Sequence, residues 1–99
     1  MGDMQDRRSE PRRTVISRVE VEWQDPDGAP RHAFAFIEDR SSSGVGMRIP
    51  NFIPVGTEIR IKGIRLDVRG VVRQCARAGY EYLVGVKLSA EHGQERQRA

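Results

Sequence analysis

The chain has 99 residues, ten of them glycine and five proline, with 37% apolar residues, a length and composition that fit one turn-rich domain and leave no room for two. Its 17 basic residues against 14 acidic ones give +3, and the surplus is spread out: residues 1–13 hold four arginines against three acids, residues 89–99 two of each. That distribution excludes the solid basic block that grips long nucleic acid non-specifically and suits a small anionic ligand, while a single cysteine, Cys75, and two histidines exclude an internal disulfide and a recognisable zinc site.

No apolar run approaches the ~20 residues of a membrane span, and the charged start lacks the apolar stretch of a signal peptide. A reducing, cytoplasmic setting is therefore expected, with no cofactor and no membrane insertion.

In chain order, residues 1–13 (MGDMQDRRSEPRR) carry no apolar period and are expected to form a flexible arm. Thr14 to Gln24 alternates, with Val15, Val19, Val21 and Trp23 on one face and Arg18, Glu20 and Glu22 on the other, the pattern of a half-buried strand. Asp25-Pro26-Asp27-Gly28 is turn chemistry. Arg31 to Glu38 reads as a second strand with Phe34 and Phe36 facing the interior together. After DRSSSG (39–44), Gly44 to Ile49 resumes as a short strand, and Pro50 and Pro54 frame an extended loop. Thr57 to Lys62 alternates again, with Ile59 and Ile61 inward. Ile64 to Arg73 follows, with Ile64, Leu66, Val68, Gly70 and Val72 sharing a face. Ala76 to Gly79 is expected to turn the chain. Tyr80 to Leu88 closes the set, with Tyr80, Tyr82, Val84, Val86 and Leu88 on one side. Ser89 would cap a short helix or tail over 90–99, weakened by Gly93.

Six short strands joined by turns, with little helix, predict an all-β protein: a six-stranded antiparallel β-barrel over residues 14–89, closed so that no sheet edge is left open.

Two segments carry chemistry. RRSEPR places Arg7, Arg8 and Arg12 close together, and Pro11 disfavours helix at Glu10. An arm of this kind delivers several guanidinium groups to one place, where they pair with phosphate or stack on a flat base, and a guanidinium also matches the O6 and N7 acceptors of guanine. By itself the segment also fits a solvated basic tail. In DRSSSG, the Asp39 carboxylate can accept the N1–H and N2–H of a guanine, Ser41 offers a hydroxyl, and Gly44 removes a Cβ where a ligand or strand comes near. By itself that segment also fits a turn in which Asp39 bonds its own backbone.

Taken in order around a strand-rich domain, Arg7, Arg8 and Arg12 followed by Asp39, Ser41 and Gly44 resemble the RR-x-x-x-R and D-x-S-x-x-G motifs of the PilZ family of bacterial cyclic di-GMP receptors. Gly46 fits the glycine often found two places further on, and YLVGVKL, with Gly85 and Val86, looks like that family's final barrel strand. The resemblance implies a six-stranded antiparallel barrel whose arginine-bearing arm wraps the ligand against its surface. It implies that Arg8 and Arg12 hold phosphate and the guanine Hoogsteen edge, that Asp39 and Ser41 contact a guanine edge, and that Gly44 and Gly46 let the base lie close to the backbone. An arginine at position 7 leans towards a stacked pair of nucleotides. The expected ligand is thus cyclic di-GMP and the expected output an unidentified effector protein, reached through ordering of the arm.

Two other readings compete: a PilZ-like interaction module that binds no nucleotide, and a small basic barrel for single-stranded nucleic acid. The latter rests on Arg60, Lys62, Arg65, Arg69 and Arg73 as an outward basic ladder. Against it, single-strand binders use aromatic stacking platforms, and the aromatic residues here fall mostly on faces expected to point inward. No enzyme is expected: neither His32 nor His92 has a nucleophile or second acid arranged around it, and Glu38 and Asp39, adjacent in a strand, should face opposite ways.

Overall fold

The structure, a computed structural model, describes residues 13–89, with side chains from Ser17 onward. The arm with Arg7, Arg8 and Arg12, the side chain of Val15 and the segment 90–99 with its expected helix lie outside the described residues.

Six antiparallel strands form a closed barrel: β1 (Arg13–Gln24), β2 (Pro30–Arg40), β3 (Gly44–Ile49), β4 (Glu58–Gly63), β5 (Leu66–Ala78) and β6 (Glu81–Leu88), in the spatial order β1-β2-β3-β6-β5-β4. The period-two alternation of the sequence is what closes it. Val19, Val21 and Trp23 of β1 point into one core with Val45, Met47 and Ile49 of β3, Ile59 and Ile61 of β4, Val68 and Val72 of β5 and Val84 and Val86 of β6. Among the described residues no polar or charged side chain is buried, so the core is held by apolar burial and the strand ladders alone. The seam between β1 and β4 is short, with Glu20, Val21 and Glu22 opposite Lys62, Ile61 and Arg60. The β3–β4 connection crosses one mouth of the barrel and buries Ile53 completely as its plug.

Several expectations change. Phe34 and Phe36 point outward, 48% and 45% exposed, while Ala33, Ala35 and Ile37 take the inward positions. Both sets in β2 are apolar, so alternation alone does not choose between them. The register chooses: Val19 and Val21 on β1 stand opposite Ala35 and Ala33, and beside valines in a narrow interior the small side chains are the ones that fit. Outside, the Arg18 guanidinium lies 4.2 Å from the centre of the Phe34 ring, and His32 meets Phe34 edge-on. Ile64 and Tyr80 sit in turns and are 97% and 96% exposed. The expected turn at 76–79 is strand: β5 runs on to Ala78, and the chain reverses at Gly79 and Tyr80.

Gly70 is the position the fold tolerates least. A Cβ built there would stand 2.5 Å from the Lys87 carbonyl oxygen, 2.6 Å from Val86 Cγ1 and 3.2 Å from the Leu88 Cα. Two of those atoms are backbone and cannot step aside. Gly70→Ala should therefore destabilise the barrel by about 1–3 kcal/mol through overpacking, read as a lower urea midpoint at unchanged slope; a midpoint equal to wild type would show that β5 and β6 can separate there.

Candidate functional site

The DRSSSG segment begins inside β2 and turns the chain into β3. Asp39 and Arg40 are the last residues of the strand, and the Ser41 N–H donates to the Gly44 carbonyl at 2.9 Å, closing a hairpin around Ser42 and Ser43. The Leu88 N–H donates to the Ser43 carbonyl at 2.9 Å, tying the hairpin to the end of β6. β1 starts at the same end: Arg13 stands opposite Arg40 and Thr14 opposite Asp39.

Regular alternation would send Asp39 inward beside Ile37. Instead the β2–β3 register slips by one residue between Ile37/Met47 and Asp39/Gly46, leaving Glu38 with no opposite number. After this bulge, Asp39 lies on the outside, over Gly46. A Cβ on Gly46 would come 2.7 Å from Asp39 Oδ1. Glu38 is outside as well, where its Oε2 accepts a 2.8 Å hydrogen bond from Arg48 Nε. The expectation that Glu38 and Asp39 face opposite ways is thus corrected, and the bulge is the reason.

Gly46 stands opposite Gly85 of β6, and Gly85 opposite Gln74 of β5. A second slip, between Val72/Val86 and Gln74/Gly85, leaves Arg73 as the extra residue. The outer surface therefore carries a row Asp39–Gly46–Gly85–Gln74 across four strands. Its floor is bare backbone, and its two ends are a carboxylate and a carboxamide. This row lies in an open depression of about 580 Å³ that Ser41, Ser43, Gly44, Arg73 and Lys87 also line, within the size range of small-molecule sites. Asp39, Ser41, Gly44 and Gly46 are thus brought together in one depression. Arg73, Gln74 and Lys87 join it although no motif marks them, and Gln74 lies beyond the strand end that the sequence pattern suggests at Arg73.

The electrostatics divide the outer surface. Glu38, by its hydrogen bond first and its charge second, raises the Arg48 pKa above its ordinary value; burial opposes this, and Glu81 at 3.9 Å adds to it last. Asp67 raises that of Arg60 in the same way through two 2.9 Å hydrogen bonds. Lys62 pairs with Glu22 at 3.1 Å. The ladder on β4 and β5 is therefore interleaved with acids. Phe34, Phe36, Phe52 and Tyr80 are exposed, which corrects the expectation that the aromatic residues mostly point inward. Phe34 and Phe36, however, lie on β2, which β1 separates from β4 on one side and β3 and β6 separate from β5 on the other, so the rings and the ladder do not share a groove. Among the described residues no cluster of His, Cys, Asp and Glu is placed to hold a metal ion, and no helix is long and apolar enough to cross a membrane.

The PilZ domain family model matches residues 6–99. The chain belongs to the PilZ domain family. Its fold is similar to that in the solved structure of the K. pneumonia MrkH–c-di-GMP complex, with a TM-score of 0.65 at 15% identity over 92% of this chain and 48% of that one. The chain thus spans about half the length of that neighbour. No curated protein matches the sequence.

Because the atom that obstructs a Gly46 Cβ is the end of a side chain, Gly46→Ala should fold with a stability loss below about 1 kcal/mol. It should turn the Asp39 carboxylate off the floor. The Asp39 carboxyl-carbon signal in an NMR spectrum checks this, and an unmoved signal beside a native melt would contradict it.

Proposed function

We propose that this chain is a receptor for cyclic di-GMP, acting by binding and not by catalysis. The observation that carries the reading is the Asp39 carboxylate held over a glycine floor at the barrel end where β1 begins. A flat base needs an open surface without Cβ atoms, and a guanine edge with two N–H donors needs a paired acceptor. Gly46 and Gly85 supply the first and Asp39 the second. Ser41 adds a hydroxyl at the rim, Gln74 faces Asp39 across the floor, and Arg73 and Lys87 make the surroundings favourable to phosphate. Membership of the PilZ family and the likeness to a structure described as a c-di-GMP complex support the same ligand.

The arm fits this reading by reach. Arg12 adjoins Arg13, which stands opposite Arg40 beside the depression. Arg7 is six residues further back, within roughly 20 Å of extended chain. Arg8 and Arg12 then bind phosphate and the guanine Hoogsteen edge, and Arg7 favours a stacked pair of ligands. Three neighbouring cations repel one another until two phosphates arrive. Binding offsets the ordering cost of the arm, on the order of 1–2 kcal/mol per fixed residue. The rearranged arm presents a new surface to an effector protein, a shift of population between two states. The cytoplasm is the setting proposed for this exchange.

Isothermal titration of the full chain with cyclic di-GMP tests the reading and counts the nucleotides bound. Arg8→Ala and Asp39→Ala should each weaken binding at least about tenfold, since each removes a charged hydrogen-bonding partner, while the melting curve stays native. Binding should also weaken as salt rises. A further variant probes the floor: a Gly85 Cβ meets only the flexible Gln74 side chain, at 3.3 Å, so Gly85→Leu should fold and yet block the ligand. Wild-type affinity in Asp39→Ala, or in Gly85→Leu, would remove that residue from the site.

A further inference from the structure

Asp39 departs from strand alternation, and something must hold it there. On the β3 side the ladder slips at Glu38. On the β1 side it slips over the same stretch, between Thr14/Asp39 and Ser17/Ile37. Regular pairing therefore stops on both flanks of the residue just before Asp39. Continuing the alternation from Ile37, which is buried, would carry Asp39 inward and leave Gly46 uncovered.

Among the described residues, a side-chain contact between β2 and β3 spans the irregularity. The Glu38 carboxylate is held at 2.8 Å by Arg48 Nε, and the two side chains are only 43% and 36% exposed. Arg48 is well anchored in its turn. It sits on β3 between Phe36 and Leu83 in register, and a second carboxylate, Glu81, lies 3.9 Å away. The pair therefore ties the unpaired residue of β2 down onto the outer face, one step from the glycine floor.

We propose that the Glu38–Arg48 ion pair is a positioning device that fixes the β2 bulge and thereby keeps the Asp39 carboxylate over Gly46. Its consequence for affinity rests on the receptor reading above; its consequence for Asp39 does not. Arg48 lies outside the depression and acts through Asp39. Glu38 lines it and acts through Asp39 as well, so a loss of affinity in Glu38→Gln with none in Arg48→Gln would mark a direct contact and overturn the proposal. The device ties the ligand's acidic contact to the far strand as well, because Glu81 at the start of β6 shares Arg48.

Two measurements on the full chain test it. In the ligand-free protein, Glu38→Gln and Arg48→Gln should each shift the Asp39 carboxyl-carbon and Gly46 amide signals while leaving the Gly28 amide, at the other end of the barrel, unchanged. In titrations with cyclic di-GMP each variant should lose about three- to tenfold in affinity, and the exchanged pair Glu38→Arg with Arg48→Glu, made together with Glu81→Gln so that no carboxylate opposes the relocated one, should recover most of it. Coupling should be strong: in an Asp39→Asn background, Arg48→Gln should cost nothing further. Unmoved Asp39 signals would overturn the proposal. So would losses that add to that of Asp39→Asn, or a loss in Arg48→Gln with none in Glu38→Gln, because Arg48 would then be acting on the ligand itself. If wild type binds no cyclic di-GMP while the Asp39 signals still move in both variants, the positioning device stands and the receptor reading falls.

Discussion

Rolling six strands into a closed cylinder demands more bending than the ordinary twist of a sheet supplies, and bulges are where strands bend. Among the described residues the register slips at three places: on β1 between Thr14 and Ser17, on β2 at Glu38 and on β5 at Arg73. All three border one strip of the outer surface, the strip that carries Asp39, Gly46, Gly85 and Gln74. Closure and the candidate site thus have a common cause. The extra residues that curvature forces out of the ladders, Glu38 and Arg73, both line the depression, and the change of phase after Glu38 turns Asp39 outward. Gly46 and Gly85 keep the strip bare between them.

The two ends of the barrel have different roles. At one, the β3–β4 connection folds across the mouth and Ile53 seals the core. At the other, the β2–β3 hairpin, the beginning of β1 and the end of β6 meet, tied by the bond from the Leu88 N–H to the Ser43 carbonyl. β1 begins there with Thr14 opposite Asp39. The apolar side chains Phe34 and Phe36 lie on the outer face of β2, where Arg18 covers one ring and Arg48 stands opposite the other.

Much of this was legible in the residues. Alternation in Arg18–Gln24 and Thr57–Lys62 gave strands and faces directly, since only one of the two sets in each is apolar; Ile16 breaks the pattern beside the slip between Thr14 and Ser17. The motif residues Asp39, Ser41, Gly44 and Gly46 were readable as a group through family resemblance, and they do fall in one depression. β2 was misread because Ala33-Phe34-Ala35-Phe36-Ile37 is apolar on both faces. Only the partner strand decides which set goes in, and size then favours alanine. Gln74 was missed because a bulge breaks the period at Arg73, and a broken period looks like the end of a strand. The Glu38–Arg48 contact joins residues whose meeting depends on that same kind of irregularity, which no local pattern announces.

The brevity of the β1–β4 seam bears on how the chain reaches this state. The β1–β2, β2–β3, β4–β5 and β5–β6 pairs are sequence neighbours joined by hairpins or short loops, so each can form early at small entropic cost. Two contacts are different in kind: Met47 beside Val84 and Val21 beside Ile61 join positions roughly forty residues apart. A β1β2β3 meander and a β4β5β6 meander are thereby the natural assembly halves. Among the described residues the β1–β4 seam has three pairs in register against six between β3 and β6, so it gains the least backbone pairing for a long loop closure and is expected to zip late and to part first.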